Sequence, residues 1–114
     1  MTEPRLASSV LVSVLLTLAA RDGGFGAVLS KGDAHAGAIT VILTERGERR
    51  MVVERIVQPD GSYAWQESGN HAATTDEEFE KFLDRRRRFD PDLWIIELDT
   101  ASAPRFAAEM AALS

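Results

Sequence analysis

Glu97 and Asp99 stand two residues apart, just after the apolar run Leu93-Trp94-Ile95-Ile96. On a strand that spacing puts both carboxylates on one face. Paired carboxylates suit general acid–base work or a hard cation. Without further ligands they are a weak metal site, and the plainer reading is a solvated pair or one carboxylate partnered by arginine. Lys31-Gly32-Asp33 lies between two strand-like segments, and the chain has no Gly-x-x-x-x-Gly-Lys phosphate loop. Lys31 and Asp33 therefore read as hairpin-loop residues, with a small-ligand contact as the alternative. His35 and His71 both fall in loops, where a lone histidine is usually a surface residue. No carboxylate-x-Lys nuclease pair and no activated nucleophile stands out. With no cysteine, a thiol nucleophile, a zinc-thiolate site and a disulfide framework are excluded. No metal and no cofactor is expected.

The densest charge is Arg85-Arg86-Arg87-Arg88, running into Phe89-Asp90-Pro91-Asp92-Leu93-Trp94. The arginines close a helix that opens at Thr75-Asp76-Glu77-Glu78, where Thr75 and Glu78 have capping-box spacing. Acidic residues at the start and basic ones at the end suit the helix dipole. Pro91 disfavours a helical Asp90 and stops the helix. Phe79, Phe82, Leu83 and Phe89 recur at helical spacing. At about 100° per residue, Arg86 falls near the centre of that apolar stripe and Arg88 nearly opposite it. Arg86 should therefore lay its stem on apolar surface and reach solvent or a carboxylate. Arg85, Arg87 and Arg88 are left for solvent or a partner.

The elements that position these residues can be read in order. Residues 6–20 carry no charge. Their length fits a secretory apolar region, but the segment before them is not clearly basic. Val10, Val14 and Leu18, with Leu11 and Leu15, give helical stripes, so a domain helix is expected over about 6–22, ended by Gly23-Gly24. The run is short for a membrane span. Strands are expected at Phe25–Ser30, Ala38–Thr44, Met51–Gln58 and Ser62–Glu67, with a charged hairpin turn at 45–49 and a tight turn at Pro59-Asp60-Gly61. Joined by short turns, they read as a four-stranded antiparallel meander. Tyr63 and Trp65 share a strand face, and Trp65 is expected in the core, with base stacking or an interface as the alternatives. Leu93–Ile96 is apolar on both faces, as in a strand covered on both sides. A short helix follows from Ala103 to Leu113. The fold class is α+β, one domain over 1–114.

The sequence has 114 residues and a net charge of −5. That is long enough to bury a core without metal or disulfide. The acidic balance argues against a dedicated nucleic-acid binder, whose affinity comes mainly from phosphate neutralisation.

Several blocks together resemble a family of short alphaproteobacterial proteins catalogued as a domain of unknown function. They are Pro4-Arg5-Leu6-Ala7-Ser8, the glycine-rich segment 23–33, Ala36-Gly37-Ala38-Ile39, and Arg85 to Trp94. The resemblance covers nearly the whole chain. It implies a small bacterial protein whose first helix belongs to the domain, and it implies no activity.

The leading functional expectation is a non-catalytic, cytoplasmic interaction or ligand-binding domain. The first helix is apolar on more than one side, which leaves room for a protein partner or a second copy. One alternative is nucleic-acid association through Arg85, Arg87 and Arg88, with Lys31 and Arg49 as further cations. The other is a small enzyme whose site forms where Arg86, Glu97 and Asp99 meet the 31–37 loop.

Overall fold

The computed structural model describes residues 6–113. Its elements are α1 (Ser8–Arg21), β1 (Phe25–Ser30), β2 (Ile39–Glu45), β3 (Glu48–Val57), β4 (Tyr63–Glu67), α2 (Asp76–Phe89), β5 (Trp94–Asp99) and α3 (Ala103–Met110), with short 3-10 turns at His71–Ala73 and Ala111–Leu113. The fold is α+β, and the sheet is mixed, in the order β1-β5-β2-β3-β4.

The expected meander holds from β2 to β4, where successive strands pair antiparallel. It does not extend to β1. That strand pairs antiparallel with β5, and β5 lies parallel to β2. The segment 31–37 is therefore no hairpin loop: it crosses above the point where β5 enters the sheet. Insertion of β5 follows from its composition, since a strand apolar on both faces is best satisfied at the centre of a covered sheet. Of its residues, Trp94, Ile95, Ile96 and Leu98 are buried.

The sheet is covered on both sides. On one side α1 and α3 bury Leu11, Leu15, Phe106 and Met110 against Val41, Leu43, Ile96 and Leu98. On the other, α2 sets Phe79 and Leu83 against Ile42, Val52 and Ile95. Alternation along β5 thus sends Trp94, Ile96 and Leu98 to the α1 side, and Leu93, Ile95, Glu97 and Asp99 to the α2 side.

Local chemistry sets the boundaries. The Thr75 hydroxyl accepts the Glu78 N–H at 3.1 Å and starts α2, while Asp90 is extended ahead of Pro91 and ends it. Arg46 and Gly47, both at positive φ, form the tight turn between β2 and β3. Ser102 caps α3, with Pro104 in its first turn.

Phe89 departs from its expected place. It is 93% exposed, not part of the α2 apolar stripe. It lies about 70° off the stripe's centre at about 100° per residue, and as the last helical residue it finds no element against which to pack.

Candidate interaction surface

Ser8, Asp33, Gly37 and Trp94, one from each block of sequence that resembles the family, meet at the start of β5; Pro4 and Arg5 of the first block lie outside the described residues. The Trp94 indole N–H donates to the Asp33 carbonyl at 2.7 Å, and the Asp33 N–H donates to the Asp92 carbonyl at 3.0 Å. The Asp33 carboxylate accepts the N–H groups of His35 and Ala36 at 3.1 and 2.9 Å, which hold it below the usual carboxylate range. Buried Ser8 donates its hydroxyl to the Gly37 carbonyl at 2.6 Å, and its N–H reaches the His35 carbonyl at 3.2 Å. Orphan donors at the start of α1 are thus satisfied by the loop itself. A Cβ on Gly32 or Gly37 would stand 2.1 or 2.3 Å from the Asp92 carbonyl oxygen. Asp33 and its glycines are here the fastening of a crossover, and Lys31 stands exposed beside them.

Arg86 meets a carboxylate, as its place on the helix predicted. Its partner is Glu54 on β3, not Glu97 or Asp99. Glu54 also accepts the Thr40 hydroxyl at 3.0 Å. The next arginine reaches the other way: Arg87 Nε donates to the Ser30 hydroxyl on β1 at 2.7 Å, and its guanidinium also meets Asp84 at 2.9 Å. Adjacent arginines thus tie α2 to opposite flanks of the sheet.

Asp99 lies at the far end of β5 from the 31–37 loop, about 17 Å along a strand of this length. It accepts the Gly47 N–H at 2.9 Å and the Thr44 hydroxyl at 2.7 Å, and both bonds hold its carboxyl below the ordinary range. It fastens the β2–β3 turn. Glu97 is half-buried and lines a cavity of about 170 Å³ with Leu29, Ile42, Phe79 and Glu80. Arg86, Glu97, Asp99 and the 31–37 loop therefore do not converge on one pocket. Among the described residues, no cluster of three His, Asp or Glu could hold a metal ion.

Arg49 and His71 carry more structure than their sequence context signalled. The Arg49 guanidinium donates to the carbonyls of His71 and Thr74 at 2.7 and 2.6 Å and lies 4.1 Å from the centre of the Phe79 ring. It sits by Asp76 at the start of α2, 9 to 12 residues or about 14–18 Å along the helix from the four arginines, so it is not part of their stripe. The His71 ring packs on Phe82 with centroids 4.3 Å apart. Burial pushes its pKa down, and neighbouring Arg49 adds to the effect. Trp65 packs against the α1-side core, and its indole N–H is buried without a partner among the described residues.

What remains outward is the end of α2. Arg85 and Arg88 are exposed and form no ion pair among the described residues. With Lys81 and Phe89 they occupy helix positions i, i+4, i+7 and i+8, one continuous outer stripe. Lys31 lies at the same end of the molecule, since it follows the Ser30 that Arg87 holds.

The sequence model of the family described as "Protein of unknown function (DUF1491)" matches residues 6–108. The chain belongs to the DUF1491 family. Among solved structures, the chain is similar to a solution structure of a protein from A. tumefaciens, at 31% identity and TM-score 0.74, covering 90% of this chain and 92% of that one. It is similar to an NMR structure of a DUF1491 protein from Caulobacter crescentus, at 28% identity and TM-score 0.76, covering 91% of this chain and 94% of that one. A crystal structure of a DUF1491 protein from the same organism gives 28% identity and TM-score 0.73, covering 89% and 94%. No curated protein matches the chain. The DUF1491 match covers α1 and every strand, so the crossover at Ser8, Gly32, Asp33, Gly37 and Trp94 lies inside the family region. Among the described residues, no helix is long and apolar enough to cross a membrane.

Proposed function

We propose that this DUF1491 protein is a single-domain, non-catalytic interaction module of the cytoplasm that engages an acidic protein surface through the end of α2. The observation that carries this reading is the outer stripe Arg85, Arg88 and Phe89: two uncommitted guanidinium groups beside a phenyl ring 93% exposed to solvent. A bare aromatic flanked by arginines has the composition of an interface core. Lys31 extends the cationic rim. Arg86 and Arg87 position the stripe and do not touch the partner. The lack of cysteine suits a reducing compartment. The net charge of −5 weighs against nucleic acid as the partner.

The test compares native protein with an Arg85→Ser/Arg88→Ser/Phe89→Ser variant in affinity capture from nuclease-treated bacterial lysate. Circular dichroism confirms the fold of both. A partner held by the native form and lost from the variant is the expected result. Equal retention by both, or a partner that disappears on nuclease treatment, overturns it.

A further inference from the structure

We propose that β1 is a self-association edge, pairing antiparallel with β1 of a second copy to make one sheet that runs through both molecules. β1 is an outer strand of the sheet, paired on one side only, with β5. Its outer row of N–H and C=O groups has no strand against it among the described residues. Edge strands that stay solitary usually carry charge or proline. β1, Phe25-Gly26-Ala27-Val28-Leu29-Ser30, carries neither, and Phe25, Val28 and Leu29 are 68%, 43% and 42% exposed. The opposite edge, β4, ends in Gln66 and Glu67 and so has its own deterrent.

The occupant is argued from self-complementarity. Residues facing each other across an antiparallel pair must share a sheet face. A two-fold axis through Ala27 meets that condition. It sets Gly26 against Val28 of the copy and Phe25 near Leu29 of the copy, so each bulky side chain meets a small or apolar one. The register irregularity between Val28 and Ser30 falls at Leu29, so the regular ladder runs over Gly26, Ala27 and Val28 and ends at the Phe25–Leu29 contact. The flanks are complementary too. Asp22, before the strand, comes to the end where the copy carries Lys31, and the symmetry makes that match twice. No like charges face each other within the strand. The two surfaces share Lys31 alone, and neither cysteine variant touches Arg85, Arg88 or Phe89, so failure here and failure of the proposed function are separable.

The chain has no cysteine, so a single introduced one reports position cleanly. On the axis, Ala27→Cys would bring two Cα atoms about 4.5–5.5 Å apart, within disulfide reach. Gln66→Cys, on the β4 edge, is the matched control. Light scattering of the native protein across concentration should show the mass doubling. Under mild oxidation Ala27→Cys should go over to a covalent dimer at least tenfold faster than Gln66→Cys. A strictly monomeric native protein overturns the proposal. So does a dimer in which the two cysteine variants cross-link equally.

Discussion

The Arg86 guanidinium and the Glu54 carboxylate meet between α2 and the sheet, and one oxygen of Glu54 serves both Arg86 and the Thr40 hydroxyl. The Glu54 side chain is only 14% exposed, against 40% for Arg86. The acid is therefore the costly member of the pair. Its charge lies in a half-dry site and relies on two donors from two other elements. This pins α2 over β2 and β3, while Arg87 and Ser30 pin it over β1.

Arg86→Ala leaves Glu54 with a single donor in that site. We expect a loss of about 1–3 kcal/mol, several degrees in Tm for a domain of this size. Arg88→Ala should stay within about 0.5 kcal/mol of native, since an exposed, unpaired arginine contributes little. Paired thermal melts read the difference, and equal losses would contradict the assignment.

Much of this was legible in sequence because it is local. Thr75 and Glu78, Pro91, and the unequal stations of Arg86 and Arg88 follow from caps and a period of about 3.6 residues. The insertion of β5 between β1 and β2 was not legible. Alternation says which face a side chain takes but not which strand lies alongside. β1 illustrates the gap: its apolar sequence suggests burial, yet it forms an exposed edge. Phe89 fits the spacing of a stripe that the sheet beneath does not extend to meet. Glu54 showed no local sign of its role, since an acid on an alternating strand looks the same whether it faces water or an arginine.

Gly32→Ala tests the crossover. The added Cβ would stand 2.1 Å from the Asp92 carbonyl oxygen, a backbone atom that cannot rotate aside. We expect destabilisation of at least about 2 kcal/mol and faster hydrogen exchange over 31–37. Gly47→Ala is the contrast: its Cβ meets nothing within 4 Å, and its φ of +80° leaves backbone strain as the cost.

Trp65→Phe should cost little, less than about 1 kcal/mol, or stabilise the fold. The indole ring packs on the core, but its buried N–H has no partner among the described residues, so removing that group also removes an unmet donor. Trp94→Phe should behave differently, because its N–H holds the Asp33 carbonyl at 2.7 Å. A loss of about 1–2 kcal/mol is expected there. Urea melts of the two variants decide the matter: if Trp65→Phe proves the costlier, the reading of its indole is wrong.

Stability should fall with acid in two separate windows. His71 has its folded pKa depressed below the ordinary 6.5, chiefly by burial and then by Arg49. Below 6.5 the unfolded chain binds the proton more readily than the folded one, so stability declines as pH falls from 6.5 towards the folded value and then levels off. Asp99 is also depressed, below 3.8, by the Gly47 N–H and then the Thr44 hydroxyl. Its contribution is complete above 3.8 and is lost as pH falls through the folded value. Tm against pH for native, His71→Phe and Asp99→Asn proteins separates the two. The His71 variant should flatten the decline below about pH 6.5 and leave the acid limb intact, since histidine ordinarily titrates at about 6.5 and aspartate at about 4. The Asp99 variant should leave the histidine window intact, reduce the acid limb to the share that the likewise depressed Asp33 contributes, and lower Tm at neutral pH, because it weakens the fastening of the β2–β3 turn. If neither variant changes its own window, the hydrogen bonds assigned to Asp99 and the burial assigned to His71 do not govern stability.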